Sequence, residues 1–258
     1  MKNLFSIDGK VALVTGGSRG IGAMIARGYV ENGARVYISS RKAEVCDAYA
    51  AELSAAGTCV SLPADLSSMD GIKALAAALA EREERLDILV NNAGAAWGAP
   101  FAEFPESGWD KVMDLNVKAP FFLTLALLPQ LEAAASDADP ARVINIGSID
   151  GIGTPRAETY SYPASKAGII HLSRVMAYRL APRRITVNAV APGPFESQMM
   201  AATLREQGDA IRAMVPLNRI GTPADMAGVA IYLASRAGAY VTGATIQVDG
   251  GSVIAGRA

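Results

Sequence analysis

Tyr162 and Lys166 stand four residues apart in Tyr162-Pro163-Ala164-Ser165-Lys166, and Ser148 lies fourteen residues before the tyrosine. A free phenol titrates near ~10, so it is a poor acid-base catalyst at neutral pH unless something stabilises its anion. A cation one helical turn away does so, because residues i and i+4 share a helix face. A serine hydroxyl nearby could then hold the oxygen of a carbonyl or alcohol. Tyr and Lys at this spacing also occur by chance in many helices, so the pair gains weight only from what else the chain carries.

The scaffold that must hold these groups alternates strand and helix signals from end to end. Val11-Ala12-Leu13-Val14 is a short apolar run ended by Thr15-Gly16-Gly17, and a helical pattern follows from Ile21 to Glu31. Arg35 to Ser39, Val60 to Pro63, Asp87 to Val90, Arg142 to Ile146, Ile185 to Ala189 and Thr245 to Val248 read as further strands. The helices between them include one ending near Ala55, one opened by the capping run Asp65-Leu66-Ser67-Ser68, a long one from Glu106 to Leu131, and one from Tyr162 to Leu180. The strand runs are apolar without clean alternation, as expected for strands buried on both faces of a parallel sheet. The expected fold is α/β, a single Rossmann-type domain over residues 1–258, with a doubly wound parallel sheet of about seven strands flanked by helices. Its first half would bind a dinucleotide and its second half would carry the chemistry. Pro192 to Thr222 reads as an irregular insertion, with a substrate lid over residues 194–222.

Composition excludes several classes. The chain has 258 residues, 51% of them hydrophobic, which is enough for a large core in one domain. Its 24 basic and 25 acidic residues nearly cancel, so no global field points to nucleic acid or a membrane surface. Two cysteines, Cys46 and Cys59, read as reduced thiols. The first residues lack the apolar core of a signal peptide, and Phe121 to Leu128 is too short to span a bilayer, which needs about 20 residues. These features read as a cytoplasmic protein. The lone histidine, His171, follows Lys166 by five residues, or ~500° of helix rotation, so it faces away from the lysine and reads as a surface or structural residue. No cluster has metal-ligand spacing, and no metal is expected.

Thr15-Gly16-Gly17-Ser18-Arg19-Gly20-Ile21-Gly22 joins the first strand to the first helix. Glycines there let the backbone approach a pyrophosphate, and the helix N-terminus supplies N–H donors and partial positive charge. An NAD site usually has Asp or Glu at the end of the second strand to bond the ribose hydroxyls. Here the sequence reads Ile38-Ser39-Ser40-Arg41-Lys42, with no acid. Arg41 could meet a 2′-phosphate, with help from Arg19. The expected cofactor is NADP(H).

Together these residues resemble the short-chain dehydrogenase/reductase family, over essentially the whole chain. The likeness rests on the Thr15 to Gly22 loop, Asn91-Asn92-Ala93-Gly94 after the fourth strand, Asn116, Ser148, the Tyr162/Lys166 pair and Pro192-Gly193. Tyr160 is passed over because no lysine follows four residues later. Within the family the chain looks most like the NADPH-dependent 3-oxoacyl reductases, in particular the rhamnolipid-biosynthesis type. The resemblance implies that Gly16, Ser18, Arg19, Gly20, Ile21, Gly22, Asp65, Leu66, Asn92, Ala93, Gly94, Pro192, Gly193, Phe195 and Ser197 meet the cofactor. Asp65 would lie beside the adenine and Ser197 at the nicotinamide carboxamide. Phe195 departs from the family habit of a smaller aliphatic residue there.

The reaction implied is reduction of a ketone to a secondary alcohol, or the reverse. Tyr162 would give the proton, Lys166 would lower the phenol pKa and bond the nicotinamide ribose, and Ser148 would hold the substrate oxygen. Asn116 would orient a water linking Lys166 to solvent. Met199, Met200, Leu204, Met214 and Val215 could line an acyl-chain lid or simply pack a small helix pair. Arg205, Arg212 and Arg219 could face an acyl carrier protein or coenzyme A phosphates, or form a solvated surface. The family habit implies a homotetramer. Two rivals stand beside the acyl reductase: a dehydrogenase of a sugar, steroid or other secondary alcohol, and a nucleotide-sensing regulator without turnover.

Overall fold

Continuous apolar runs need burial on both faces, and the computed structural model, which describes residues 3–155, 157–196 and 201–255, gives them that. Strands β1 (Val11–Thr15), β2 (Arg35–Ser39), β3 (Cys59–Ser61), β4 (Ile88–Asn91), β5 (Ala141–Ile146), β6 (Ile185–Pro192) and β7 (Thr245–Val248) form one sheet. Their order is β3-β2-β1-β4-β5-β6-β7, and every neighbouring pair is parallel. Helices α1 (Gly20–Glu31), α2 (Ala43–Leu53) and α9 (Pro223–Ala234) cover one face. Helices α3 (Met69–Ala80), α5 (Ala119–Ala126), α6 (Leu128–Ala134) and α7 (Ser161–Leu180) cover the other.

Successive strand residues feed opposite cores. Ala12 and Val14 of β1 pack with Ile25 and Tyr29 of α1, while Val11 and Leu13 pack with Ile72 and Leu79 of α3. Each fully buried Val, Leu or Ile among them stabilises the fold by roughly 1.5–3 kcal/mol relative to exposure. The strand order reverses between β1 and β4, so the loops leaving their carboxyl ends part and open a crevice, the usual ligand position in such sheets. Thr15 and Asn91 end the two strands at that point.

Two expected elements differ from the structure. The stretch from Glu106 to Leu131 is not one helix. It runs as α4 (Glu106–Met113), a π turn (Asp114–Lys118) and α5, then bends by 59° into α6. Pro120 and Pro129 supply the physical reason, because proline has no N–H for the helical ladder and its ring crowds the preceding turn. The insertion after Pro192 is not irregular throughout: it contains α8 (Ala201–Met214). Its flanks are tied down, Phe195 by a bridge to Gly221 and Leu217 by donating its N–H to Gly250 O at 3.2 Å. Met199 and Met200 lie outside the described residues, as does the side chain of Leu204.

Among the described residues no single helix is long and apolar enough to cross a membrane. The bent pair from Glu106 to Ala134 has the length and composition, but Leu115, Leu123, Leu127 and Leu131 are buried in the core.

Candidate active site

The carboxyl edge of the sheet opens into a cavity of about 750 Å³. Its wall runs from Gly16, Ser18, Arg19, Gly20 and Ile21, past Ser39 to Arg41 and Leu66, along Asn92 to Gly94, to Ser148, Tyr162 and Lys166. Pro192 to Phe195 close the far side. The glycine loop and the Tyr162/Lys166 pair, some 140 residues apart in sequence, thus face one volume.

The loop end is shaped by close approach. Gly22 lies so near the preceding turn that a Cβ there would sit 2.2 Å from Gly16 O, so any larger residue would push the loop off the helix. Asn92 holds the opposite rim: its Nδ2 donates to Thr15 O at 2.9 Å and Gly16 O at 3.1 Å. The N–H groups of Asn92 and Ala93 both donate to Thr15 Oγ1, at 2.9 and 3.0 Å. One threonine therefore stitches the loop after β4 to the loop after β1. Farther along, Ser39 Oγ is buried on the wall with no hydrogen-bond partner among the described residues. An unsatisfied buried hydroxyl is costly, and a ligand hydroxyl or phosphate oxygen would satisfy it. Arg41 borders the same pocket. Asp65 is exposed at the rim and off the wall itself; burial raises its carboxyl pKa, but bonds from Ser67 and the Arg41 charge outweigh that and hold it below the usual range. Ser197 lies outside the described residues. Phe195 is buried, and its ring packs against Gly221 while still forming cavity wall.

At the reacting end, α7 carries Tyr162 and Lys166 one turn apart, as the spacing requires. Ser148 ends β5's loop, and its Oγ accepts from Asp150 N at 3.1 Å. Lys166 is buried, and its Nζ donates to Ile146 O at 2.8 Å. Burial pushes its pKa down to about 8. The expected lowering of the phenol pKa by this lysine is not among the effects that act on Tyr162 here. Burial raises the Tyr162 pKa, the hydrogen bond with Ser148 pulls it the other way, and Asp150 raises it further. The ammonium lies over the Tyr162 ring, 5.6 Å from its centroid. Its charge meets the π face while desolvation dominates at the hydroxyl.

Asn116 sits behind this wall in the π turn. Its Oδ1 accepts from Ala95 N at 2.8 Å, and its Nδ2 donates to Ala95 O and Ser165 Oγ, both at 2.9 Å. Ser165 Oγ in turn donates to Tyr162 O at 2.7 Å. The amide expected to orient a water thus anchors the loop after β4 to α7.

A buried polar chain escaped the sequence reading. Asn91 Nδ2 donates to Asn145 Oδ1 at 2.9 Å, Asn145 Nδ2 to Ser173 Oγ at 2.9 Å, and Ser173 Oγ to Ile169 O at 2.7 Å. It pins α7 to the sheet and so fixes where Tyr162 points. The available signal was an asparagine inside each of two apolar strand runs. His171 is exposed on α7. Arg212 pairs with Asp209, and Arg219 pairs with Asp225 at 2.6 Å, so these two cations have partners within the insertion and at the start of α9. Among the described residues no group of three or more His, Cys, Asp or Glu could hold a metal ion.

The chain is similar to known proteins over nearly its whole length. A family model described as Enoyl-(Acyl carrier protein) reductase matches residues 16–253. The rhamnolipids biosynthesis 3-oxoacyl-(acyl-carrier-protein) reductase of Pseudomonas aeruginosa is 51% identical over 253 residues, covering 97% of this chain and 99% of that protein. A solved Pseudomonas aeruginosa RhlG/NADP active-site complex has a TM-score of 0.94 at 51% identity, covering 98% of this chain and 100% of that one. A candidate NAD(P)-dependent gluconate 5-dehydrogenase from Beutenbergia cavernae with bound NADP has a TM-score of 0.90 at 34% identity, covering 98% and 100%. The matched span takes in Gly16 to Gly22 as well as Ser148, Tyr162 and Lys166, and the chain belongs to the short-chain dehydrogenase/reductase family.

Proposed function

We propose that the chain reduces a ketone to a secondary alcohol with NADPH, and that the ketone is a 3-oxoacyl thioester of acyl carrier protein or coenzyme A. The observation that carries this is one continuous cavity with Ser148, Tyr162 and Lys166 at one end and the glycine loop and Arg41 at the other. The wall fits NADP(H): the cleft beside Gly16 and Gly20, the unsatisfied Ser39 hydroxyl and the absence of an acid among Ser39, Ser40 and Arg41 suit a phosphorylated ribose. When bound, the nicotinamide supplies a hydride to the carbonyl carbon.

The chain's own residues handle the oxygen and the proton. Ser148 donates to the carbonyl oxygen and orients it. The Tyr162 phenol, kept protonated by burial, gives its proton to the same oxygen as negative charge develops there. The Lys166 ammonium lies behind the ring and returns a proton toward the phenol. Asn116 positions the loop after β4 and α7, and there it would orient a water that links Lys166 to solvent. The 51% identity to a 3-oxoacyl-(acyl-carrier-protein) reductase supports the thioester.

The rest of the assignment follows the same reading. The chain works as a single domain over residues 1–258, with residues 194–222 as the lid over the substrate. Exposed Trp109, Phe121, Leu125, Val175 and Tyr178 on α4, α5 and α7 support association into a homotetramer. Neither nucleic acid nor a membrane is a partner, and the cytoplasm is the site of action. The test is NADPH oxidation followed by absorbance with 3-oxoacyl thioesters, simple ketones and ketosugars. The thioesters should show the highest kcat/KM. A ketosugar or sugar acid ahead of them would make the chain a sugar dehydrogenase, and no oxidation with any ketone would make it a nucleotide sensor.

A further inference from the structure

Ser165 has no part in the chemistry above, yet it stands between two groups that do. It lies on α7, three residues after Tyr162 and directly before Lys166. It is fully buried and does not line the cavity. Its Oγ donates to Tyr162 O at 2.7 Å and accepts from Asn116 Nδ2 at 2.9 Å. A serine hydroxyl has one hydrogen to give. With that hydrogen committed to the Tyr162 carbonyl, a lone pair faces Asn116, and only an N–H can meet it.

Asn116 stands on a separate element, the π turn after α4. Its other two side-chain bonds go to the N–H and carbonyl of Ala95, so they hold it to the loop after β4 and not to α7. Among the described residues, Ser165 is the only side chain that the Asn116 amide bonds. The lysine meets the same corner: a Cβ on Gly94 would lie 3.1 Å from Asn116 Oδ1 and 3.7 Å from Lys166 Nζ. The amide oxygen and the ammonium thus border one point. Packing keeps the π turn against α7, and the Ser165 hydroxyl is the directional bond that sets the register between them.

We propose that Ser165 is a positioning residue for the proton step: it keeps the Asn116 amide in register with Tyr162 and Lys166. The inference rests on the ketone-reductase reading and deepens it by adding a residue behind the wall.

The experiment measures kcat and KM for ethyl acetoacetate with NADPH, per folded protein, together with the melting temperature. The variants are Ser165→Ala, Ser165→Thr, Asn116→Ala and the double variant Ser165→Ala/Asn116→Ala. Ser165→Ala should lower kcat by roughly three- to tenfold, the equivalent of one hydrogen bond, with the KM for NADPH near wild type. Ser165→Thr should recover most of that loss, because a threonine hydroxyl also bonds a carbonyl one turn back in a helix. The double variant should be no slower than Asn116→Ala, since both changes break the same bond. Ser165→Cys, which fills the same space with a weak donor, should behave as the alanine variant does and replaces it if that variant does not fold. A lowered melting temperature with kcat unchanged in Ser165→Ala overturns the proposal, leaving the serine a packing role. Losses that multiply in the double variant overturn it too, because Ser165 would then act apart from Asn116, and so does a threonine variant as slow as alanine. Each of these failures leaves wild-type turnover, and with it the ketone-reductase reading, intact. Turnover of no ketone by wild type would sink that reading and the proposal with it.

Discussion

At the carboxyl edge of the sheet Lys166 is buried with a carbonyl for its partner, whereas at the amino edge Arg142 is buried against a carboxylate and helix-terminal carbonyls. Arg142 Nη2 donates to Asp139 Oδ1 at 2.8 Å and to Ser235 O at 3.0 Å, and its Nε donates to Leu233 O at 3.1 Å. These carbonyls close the C-terminus of α9, where a cation is favoured by the helix dipole. Asp139 also takes Lys10 at 2.6 Å, and Asp87 accepts from Val11 N at 2.8 Å and pairs with Arg85. Both edges bury charge, but among the described residues only the amino edge pairs it with opposite charge. A paired buried charge orders the fold around itself. A buried ammonium that faces a carbonyl and a ring, with no carboxylate beside it among the described residues, keeps a displaced pKa, and that is what proton chemistry needs.

If the contrast is real, a change at one edge should cost activity and a change at the other should cost stability. Tyr162→Phe should lower kcat for ketone reduction by at least ~10²-fold, with NADPH binding and the melting temperature nearly unchanged. Retained turnover would remove the phenol from the acid role. Arg142→Met should do the reverse. It leaves two helix-end carbonyls without a donor, while Asp139 keeps Lys10, so the unfolding free energy measured with urea should fall by about 3 kcal/mol. The kcat of the folded fraction should hold. A stable variant with damaged kcat would show that the amino edge reaches the site and that the division is false.

The same contrast explains what could be read in the sequence. The sheet was legible because strands such as Val11-Ala12-Leu13-Val14 are apolar throughout and end in turn residues, and both features are local. The glycine loop and the Tyr162/Lys166 pair were legible for the same reason: each motif spans fewer than ten residues. Glu106 to Leu131 was misread as one helix because its apolar pattern continues through Pro120 and Pro129, and periodicity does not register a missing N–H. The Asn91–Asn145–Ser173 chain joins residues 54 and 28 positions apart, so no local window contains it. Spacing gives the helix face that Lys166 shares with Tyr162 but not the burial that raises the phenol pKa.

A smaller effect sharpens the nucleotide end of the carboxyl edge. Arg41→Ala should raise the KM for NADPH relative to NADH by the equivalent of roughly 1.5–3 kcal/mol, the value of a charge-assisted bond to a phosphate. Asp65 should then lose the Arg41 charge that helps hold its pKa down, leaving the Ser67 bonds to do so. An unchanged NADPH-to-NADH preference would place the phosphate elsewhere, with Arg19 the next residue to change.

A change of pH tests the lysine directly. Burial places the folded-state pKa of Lys166 at about 8, against the ordinary 10.5. As pH rises through about 8 the ammonium is lost, so kcat for reduction should fall on the alkaline side by up to about tenfold per pH unit, measured from about pH 6 to about pH 10. Stability should move the opposite way. Between about 8 and 10.5 the unfolded chain holds a proton at this site that the folded chain does not, so this group's contribution to the unfolding free energy rises with pH across that window. A lysine that gained a carboxylate partner would do the reverse. Lys166→Met should abolish the rise in stability, while Arg142→Met should leave it intact, because Arg142 stays charged throughout that range. A stability rise that survived in Lys166→Met would mean that the titrating group lies at neither edge as assigned, and the contrast between paired and unpaired burial would lose its measurable sign.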